Sequence, residues 1–174
     1  MSLDQLWNGW RSQYVRGFND GERNEPGRSV FTKILESGIP DEEAHIVHRG
    51  HTCFTILNAF PYSTGHMLVL PYREVSELGD LDESETAELW ATVTDAVAAV
   101  RASHQPHALN VGINLGAPAG GSIAQHLHVH VVPRWEGDAN FMTSVANTRT
   151  LPEPLDETAA RIRAAWNENK KDTR

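Results

Sequence analysis

Cysteine is nearly absent from this chain of 174 residues: Cys53 stands alone, which excludes an intrachain disulfide and a thiolate cluster for zinc. Its neighbours Thr52, Phe54 and Ile56 read as a strand, so Cys53 is expected to pack rather than react. Basic residues are scarce as well. With 15 Lys and Arg against 23 Asp and Glu, the formal charge is −8, which argues against gripping a nucleic-acid backbone. A small phosphorylated ligand needs only local N–H groups and a few side chains, and stays open. No apolar run approaches the ~20 residues of a membrane span, and residues 1–5 open an amphipathic rather than a signal-like segment. The expected address is cytoplasmic, with neither membrane nor nucleic acid as a partner. Internal repeats and low-complexity segments are also lacking. A length of 174 residues that is 40% hydrophobic supports one domain with a sizeable core.

Histidine is what the chain has in a telling pattern. In Gln125-His126-Leu127-His128-Val129-His130-Val131-Val132-Pro133 three imidazoles alternate with Leu and Val. Strand geometry puts His126, His128 and His130 on one face and Leu127, Val129 and Val131 on the other. Successive residues on one face lie roughly 6.5–7 Å apart, so the rings are expected to form a ladder of about 13 Å, matched to linked phosphates. A purely structural face would cost less with Thr or Val, since each buried imidazole needs partners for both nitrogens. The isolated His45, His48, His51, His104 and His107 are read as structural or solvated.

The remaining pattern predicts helix, sheet, long helix, sheet and terminal helix. Leu3, Leu6, Trp7, Trp10 and Tyr14 recur at helical spacing before a polar linker at 19–27. A short helix is expected over Val30–Glu36, stopped by Gly38-Ile39-Pro40, then strands at 45–49, 53–58 and 66–71 forming an antiparallel meander. Asp82 and Glu85 have the form of a capping box for the longest helix, on which Leu89, Trp90, Val93, Val97 and Val100 form the buried stripe, with Trp90 as a core anchor. A strand at 108–115 leads through a glycine loop into the histidine strand. Asp156 is placed to cap a last helix with Ala159, Ile162, Ala165 and Trp166 as its stripe, fraying from 167 onward. The loop residues Gly120, Gly121 and Ser122 offer close backbone approach and a hydroxyl, with Asn114 just before them, although glycine turns also arise for conformational reasons alone.

The segment 126–132 resembles the signature of the histidine triad family. The likeness continues through Ile56-Leu57-Asn58, Pro61 to Gly65, the strand beginning at His66, Asn114-Leu115-Gly116 and Gly120-Gly121-Ser122-Ile123, covering about residues 31–135. Residues 130–142 resemble the bacterial branch of diadenosine tetraphosphate phosphorylases and hydrolases. The resemblance implies an α+β fold with an antiparallel five-stranded sheet and packed helices, to which the residue pattern adds helical extensions at both ends. The resemblance covers the middle of three parts: an N-terminal helix and linker (1–28), a nucleotide-binding domain (29–142) and a C-terminal helical extension (143–174). It also implies a homodimer or higher homo-oligomer in which two sheets continue into one.

Carried over residue by residue, the resemblance makes His128 the nucleophile, with His126 and His130 orienting it and contacting phosphate. Asn58 would meet the ribose, His66 would line the pocket, and Asn114, Gly121 and Ser122 would hold the α-phosphate and leaving group. Ile123-Ala124-Gln125 separates Ser122 from His126 by one residue more than in the simpler purine-phosphoramidate hydrolases. Ser29-Val30-Phe31-Thr32 stands where some relatives carry a Cys-x-x-Cys zinc pair, so no metal is expected. The implied substrate is an adenine nucleotide or dinucleoside polyphosphate.

From the residues themselves, a neutral imidazole is a competent nucleophile at pH 7. A protonated His126 or His130 would assist the leaving group, Phe54, Ile56, Phe60 and Leu68 offer an apolar seat for a base, and no cofactor is required. Inorganic phosphate or water would then release the nucleotide. Two other classes stay open at this stage: a zinc hydrolase built on His126 and His128 or on all three histidines, and a nucleotide-binding module without turnover.

Overall fold

The computed structural model describes residues 28–119, 123–138 and 152–172, so the expected N-terminal helix, Gly120, Gly121, Ser122 and residues 139–151 lie outside the described residues. Five strands form one antiparallel sheet in the order β1 (Ile46–Arg49), β2 (Cys53–Leu57), β3 (Met67–Pro71), β5 (Val129–Arg134), β4 (Ala108–Ile113). Three helices accompany it: α1 (Val30–Glu36), α2 (Glu83–His104) and α3 (Leu155–Asp172). This is the expected α+β arrangement, and His66 lies one residue before β3.

The central strands β2 and β3 are buried along their whole length, which explains why they read as continuous apolar runs rather than alternating ones. Their alternation is expressed in which side each residue packs. Cys53, Leu57, Met67, Val69, Val129 and Val131 join the core under α2 and α3, whereas Phe54, Ile56, Leu68 and Leu70 join Phe31 and Ile46 in a second cluster that includes α1. Register across the sheet then aligns Ile46 with Ile56, Ile56 with Leu68, Leu68 with His130, and His130 with Gly112. Apolar residues and a triad histidine therefore share one row.

Asp82 and Glu85 make the capping box that their spacing predicts, with Asp82 Oδ1 accepting from Glu85 N–H at 2.8 Å and Glu85 Oε2 accepting from Asp82 N–H at 2.9 Å. Trp90 corrects the expected stripe: it is 45% exposed. Leu89, Val93, Ala96 and Val100 already fill the face toward the sheet, and Trp90 sits one residue, about 100°, around the helix from Leu89. Helix α3 places Ala159, Ile162 and Trp166 of its expected stripe in the main core. It runs to Asp172, and Asp156, expected to cap it, instead lies inside its first turn and pairs with His45 at 2.7 Å. Cys53 is buried beside Thr92, as its neighbours imply.

Candidate functional site

Strand β5 starts only at Val129, which corrects the expected regular ladder: His126 and His128 precede the strand and His130 lies in it. Before the strand, the backbone at Leu127 donates to the Val75 carbonyl at 2.6 Å. The His126 carbonyl is accordingly outside the strand's ladder and accepts from His128 Nδ1–H at 2.8 Å. The rings of His128 and His130 stand edge to face with centroids 4.9 Å apart, closer than residues of one strand face.

Hydrogen bonds to fixed donors and acceptors assign the ring protons. His126 Nε2–H donates to the Pro71 carbonyl at 2.8 Å, leaving Nδ1 to accept from the Ser29 hydroxyl at 2.6 Å. His128 carries its proton on Nδ1, since a carbonyl can only accept, and its Nε2 therefore bears a lone pair. His66 Nδ1 accepts from Tyr62 N–H at 3.1 Å, so the neutral His66 ring donates from Nε2 to His130 Nδ1 at 3.0 Å. The Asn114 amide stands 3.4 Å from His130 Nε2. Of the six nitrogens of His126, His128 and His130, only His128 Nε2 has no hydrogen-bond partner among the described residues.

Burial pushes all three imidazoles below their usual value, His130 to about 4 with the neighbouring His128 adding to the shift. Neutral rings dominate at pH 7. In the free site burial thus favours the neutral form of His130, and both nitrogens of His126 are engaged elsewhere.

His66, expected to line the pocket, is 1% exposed and stands behind His130. Asn58 belongs to the same chain, its amide oxygen accepting from Phe60 N–H at 2.9 Å and its nitrogen 3.3 Å from His66 Nδ1. The structure thus brings Asn58, His66, His130 and Asn114 together, while Gly121 and Ser122 lie outside the described residues. Phe54, Ile56 and Leu68 share the second apolar cluster; Phe60 does not join it. Sequence reasoning missed Phe31, whose ring meets those of His126 and His128 at centroid distances of 5.6 and 5.9 Å. It also missed Ser29 as a partner of His126, although Ser29 is the N-cap of α1 and N-cap serines are legible as such.

A family model for the HIT domain matches residues 40–137. The chain belongs to the HIT family. It is 42% identical over 169 residues to an AP-4-A phosphorylase of Mycobacterium tuberculosis, covering 94% of this chain and 85% of that protein. It is 33% identical over 95 residues to a bis(5'-nucleosyl)-tetraphosphatase (asymmetrical) of Schizosaccharomyces pombe, covering 55% of this chain and 52% of that one. Among solved structures, a zinc-bound histidine triad family protein from Mycobacterium smegmatis superposes with a TM-score of 0.66 at 28% identity, over 82% of this chain and 96% of that one.

At the position where some relatives carry zinc-binding thiolates, this HIT chain has Ser29 and Thr32. Ser29 and Thr32 present hydroxyls committed to His126 and to Glu74, the latter at 2.8 Å, and no group of three or more His, Cys, Asp or Glu among the described residues is placed to hold a metal. Chelation by His126 and His128 together would require breaking a buried bond at His126.

Proposed function

We propose that this protein transfers a nucleotidyl group from a dinucleoside polyphosphate to His128 and then to inorganic phosphate. The observation that carries the reading is the lone pair on His128 Nε2, which has no partner among the described residues and is held by the Nδ1–H bond to the His126 carbonyl at 2.8 Å. Attack by Nε2 on an α-phosphorus forms a P–N bond and breaks the P–O bond to the bridging oxygen, which leaves as the terminal oxygen of a nucleoside polyphosphate. The positive charge then carried by the ring is stabilised at Nδ1–H by the same carbonyl. The leaving oxygen belongs to a phosphate that spreads its charge, so hydrogen-bond donors such as the Asn114 amide suffice without an imidazolium.

An oxygen of inorganic phosphate attacks the same phosphorus and restores the ring. From diadenosine tetraphosphate the products are ATP in the first half-reaction and ADP in the second. The likeness to an AP-4-A phosphorylase supports both the substrate and phosphate as acceptor. Water as acceptor would give AMP instead, a reading that the more limited likeness to a tetraphosphatase favours. Product analysis with and without phosphate separates the two: ATP and ADP only with phosphate supports the phosphorylase, and phosphate-independent AMP and ATP overturns it for a hydrolase.

The same reading includes a homo-oligomer. Strand β4 ends the sheet with Val111 43% exposed, and Leu115 just beyond is 42% exposed, an edge suited to continue into that of a second copy. A cytoplasmic setting fits a chain whose one cysteine is a buried free thiol.

A further inference from the structure

We infer that Ser29 and Glu74 are positioning residues for His128, acting through His126 in one directional chain of hydrogen bonds; this rests on His128 Nε2 being the attacking atom. The chain starts at the Glu74 carboxylate, which can only accept. Its Oε2 takes the Ser29 backbone N–H at 2.9 Å and the Thr32 hydroxyl at 2.8 Å. With the Thr32 proton spent there, the Ser29 oxygen accepts the Thr32 backbone N–H at 3.2 Å. The Ser29 proton has two acceptors within reach, Thr32 Oγ1 at 3.2 Å and His126 Nδ1 at 2.6 Å, and the shorter bond goes to His126. His126 then donates from Nε2 to the Pro71 carbonyl, and its own carbonyl takes the His128 proton.

Each bond in this series has one permitted direction, so the series specifies the tautomer of His126 and holds its backbone carbonyl where His128 needs it. Ser29 and His126 are both fully buried, so water is not at hand to replace a lost partner. The ring of His126 is a rivet between the start of α1 and the end of β3, and its carbonyl is the working part. Ser29 lies outside the residues that match the family model, 97 positions before His126, and Glu74 follows β3 on a separate segment. The attacking atom is therefore set by a group brought in from beyond the triad segment.

The test combines kinetics with nitrogen NMR of the histidine rings in the full-length protein without substrate. In Ser29→Ala, kcat for nucleotidyl transfer is expected to fall at least about tenfold with KM changed less than about twofold, following the loss of an interaction that positions the attacking atom. His128 should shift from a single Nδ1–H tautomer to a mixture. Ser29→Thr, which retains the hydroxyl, should restore the single tautomer and most of kcat. Glu74→Gln should move both readouts in the same direction by less, and serves as the second variant if Ser29→Ala fails to fold. An unchanged His128 tautomer and kcat in these variants, with only thermal stability lowered, overturns the inference. If the parent turns over no dinucleotide, the ring spectra still decide whether Ser29 sets His128, so the two readings fail separately.

Discussion

His128 Nδ1–H donates to the carbonyl oxygen of His126 at 2.8 Å, two residues back along the chain. That bond exists because the chain enters β5 only at Val129, leaving the His126 carbonyl outside the ladder. It leaves Nε2 of His128 as the base site of the ring.

Replacing His128 with Ala is expected to lower nucleotidyl transfer by at least about a thousandfold, the scale seen when a nucleophile is removed. Binding of a non-hydrolysable dinucleotide should persist, since Nε2 makes its contribution in the bond-forming step. Calorimetric binding alongside steady-state rates checks both halves. Undiminished turnover would remove His128 from its role.

The triad should also leave its mark on pH dependence. Burial lowers the His126, His128 and His130 values, so the unfolded chain takes up protons below about 6.5 that the folded chain refuses. Their stabilising contribution is full above that pH and is lost as pH falls toward the folded values, about 4 for His130. Denaturant midpoints measured between pH 7 and 4 should fall on this account. The acid limb of kcat/KM should likewise lie below 6.5, because His128 keeps its lone pair to lower pH than a free imidazole.

A polyanion bound beside His130 should reverse part of its shift. Negative charge favours the protonated ring, so adding inorganic phosphate or a nucleotide should raise the His130 value above about 4. Ring-proton titration with and without ligand reads this directly.

His126→Leu separates the two roles available to this histidine. The resemblance implies contact with phosphate, which would raise KM. The structure leaves no nitrogen free for that contact, so substitution should instead lower kcat and destabilise the fold by about 1–3 kcal/mol by stranding Ser29 Oγ and the Pro71 carbonyl. Denaturation and a split of kcat from KM distinguish them.

Much of this was legible before any coordinates. The capping box at Asp82, the strands β2 and β3 and the packed Cys53 are local or periodic signals, and the structure carries them as read. Trp90 misled because helical spacing fixes a face only to within about one residue, and Leu89, Val93, Ala96 and Val100 already occupied it. Alternation identified the triad, but it could not reveal that the first two members precede the strand, since that depends on Val75 capturing the backbone of Leu127. Ser29 was illegible as a partner of His126: the contact spans 97 positions and follows from how α1 packs on the sheet.

The most direct test is a rapid-quench search for a covalent adduct on mixing enzyme with diadenosine tetraphosphate in phosphate-free buffer, followed by mapping of the modified peptide. One acid-labile, base-stable adenylyl group is expected on His128, formed together with ATP and discharged to ADP when phosphate is added. Single-turnover release of products with no adduct, or an adduct on another residue, would contradict it.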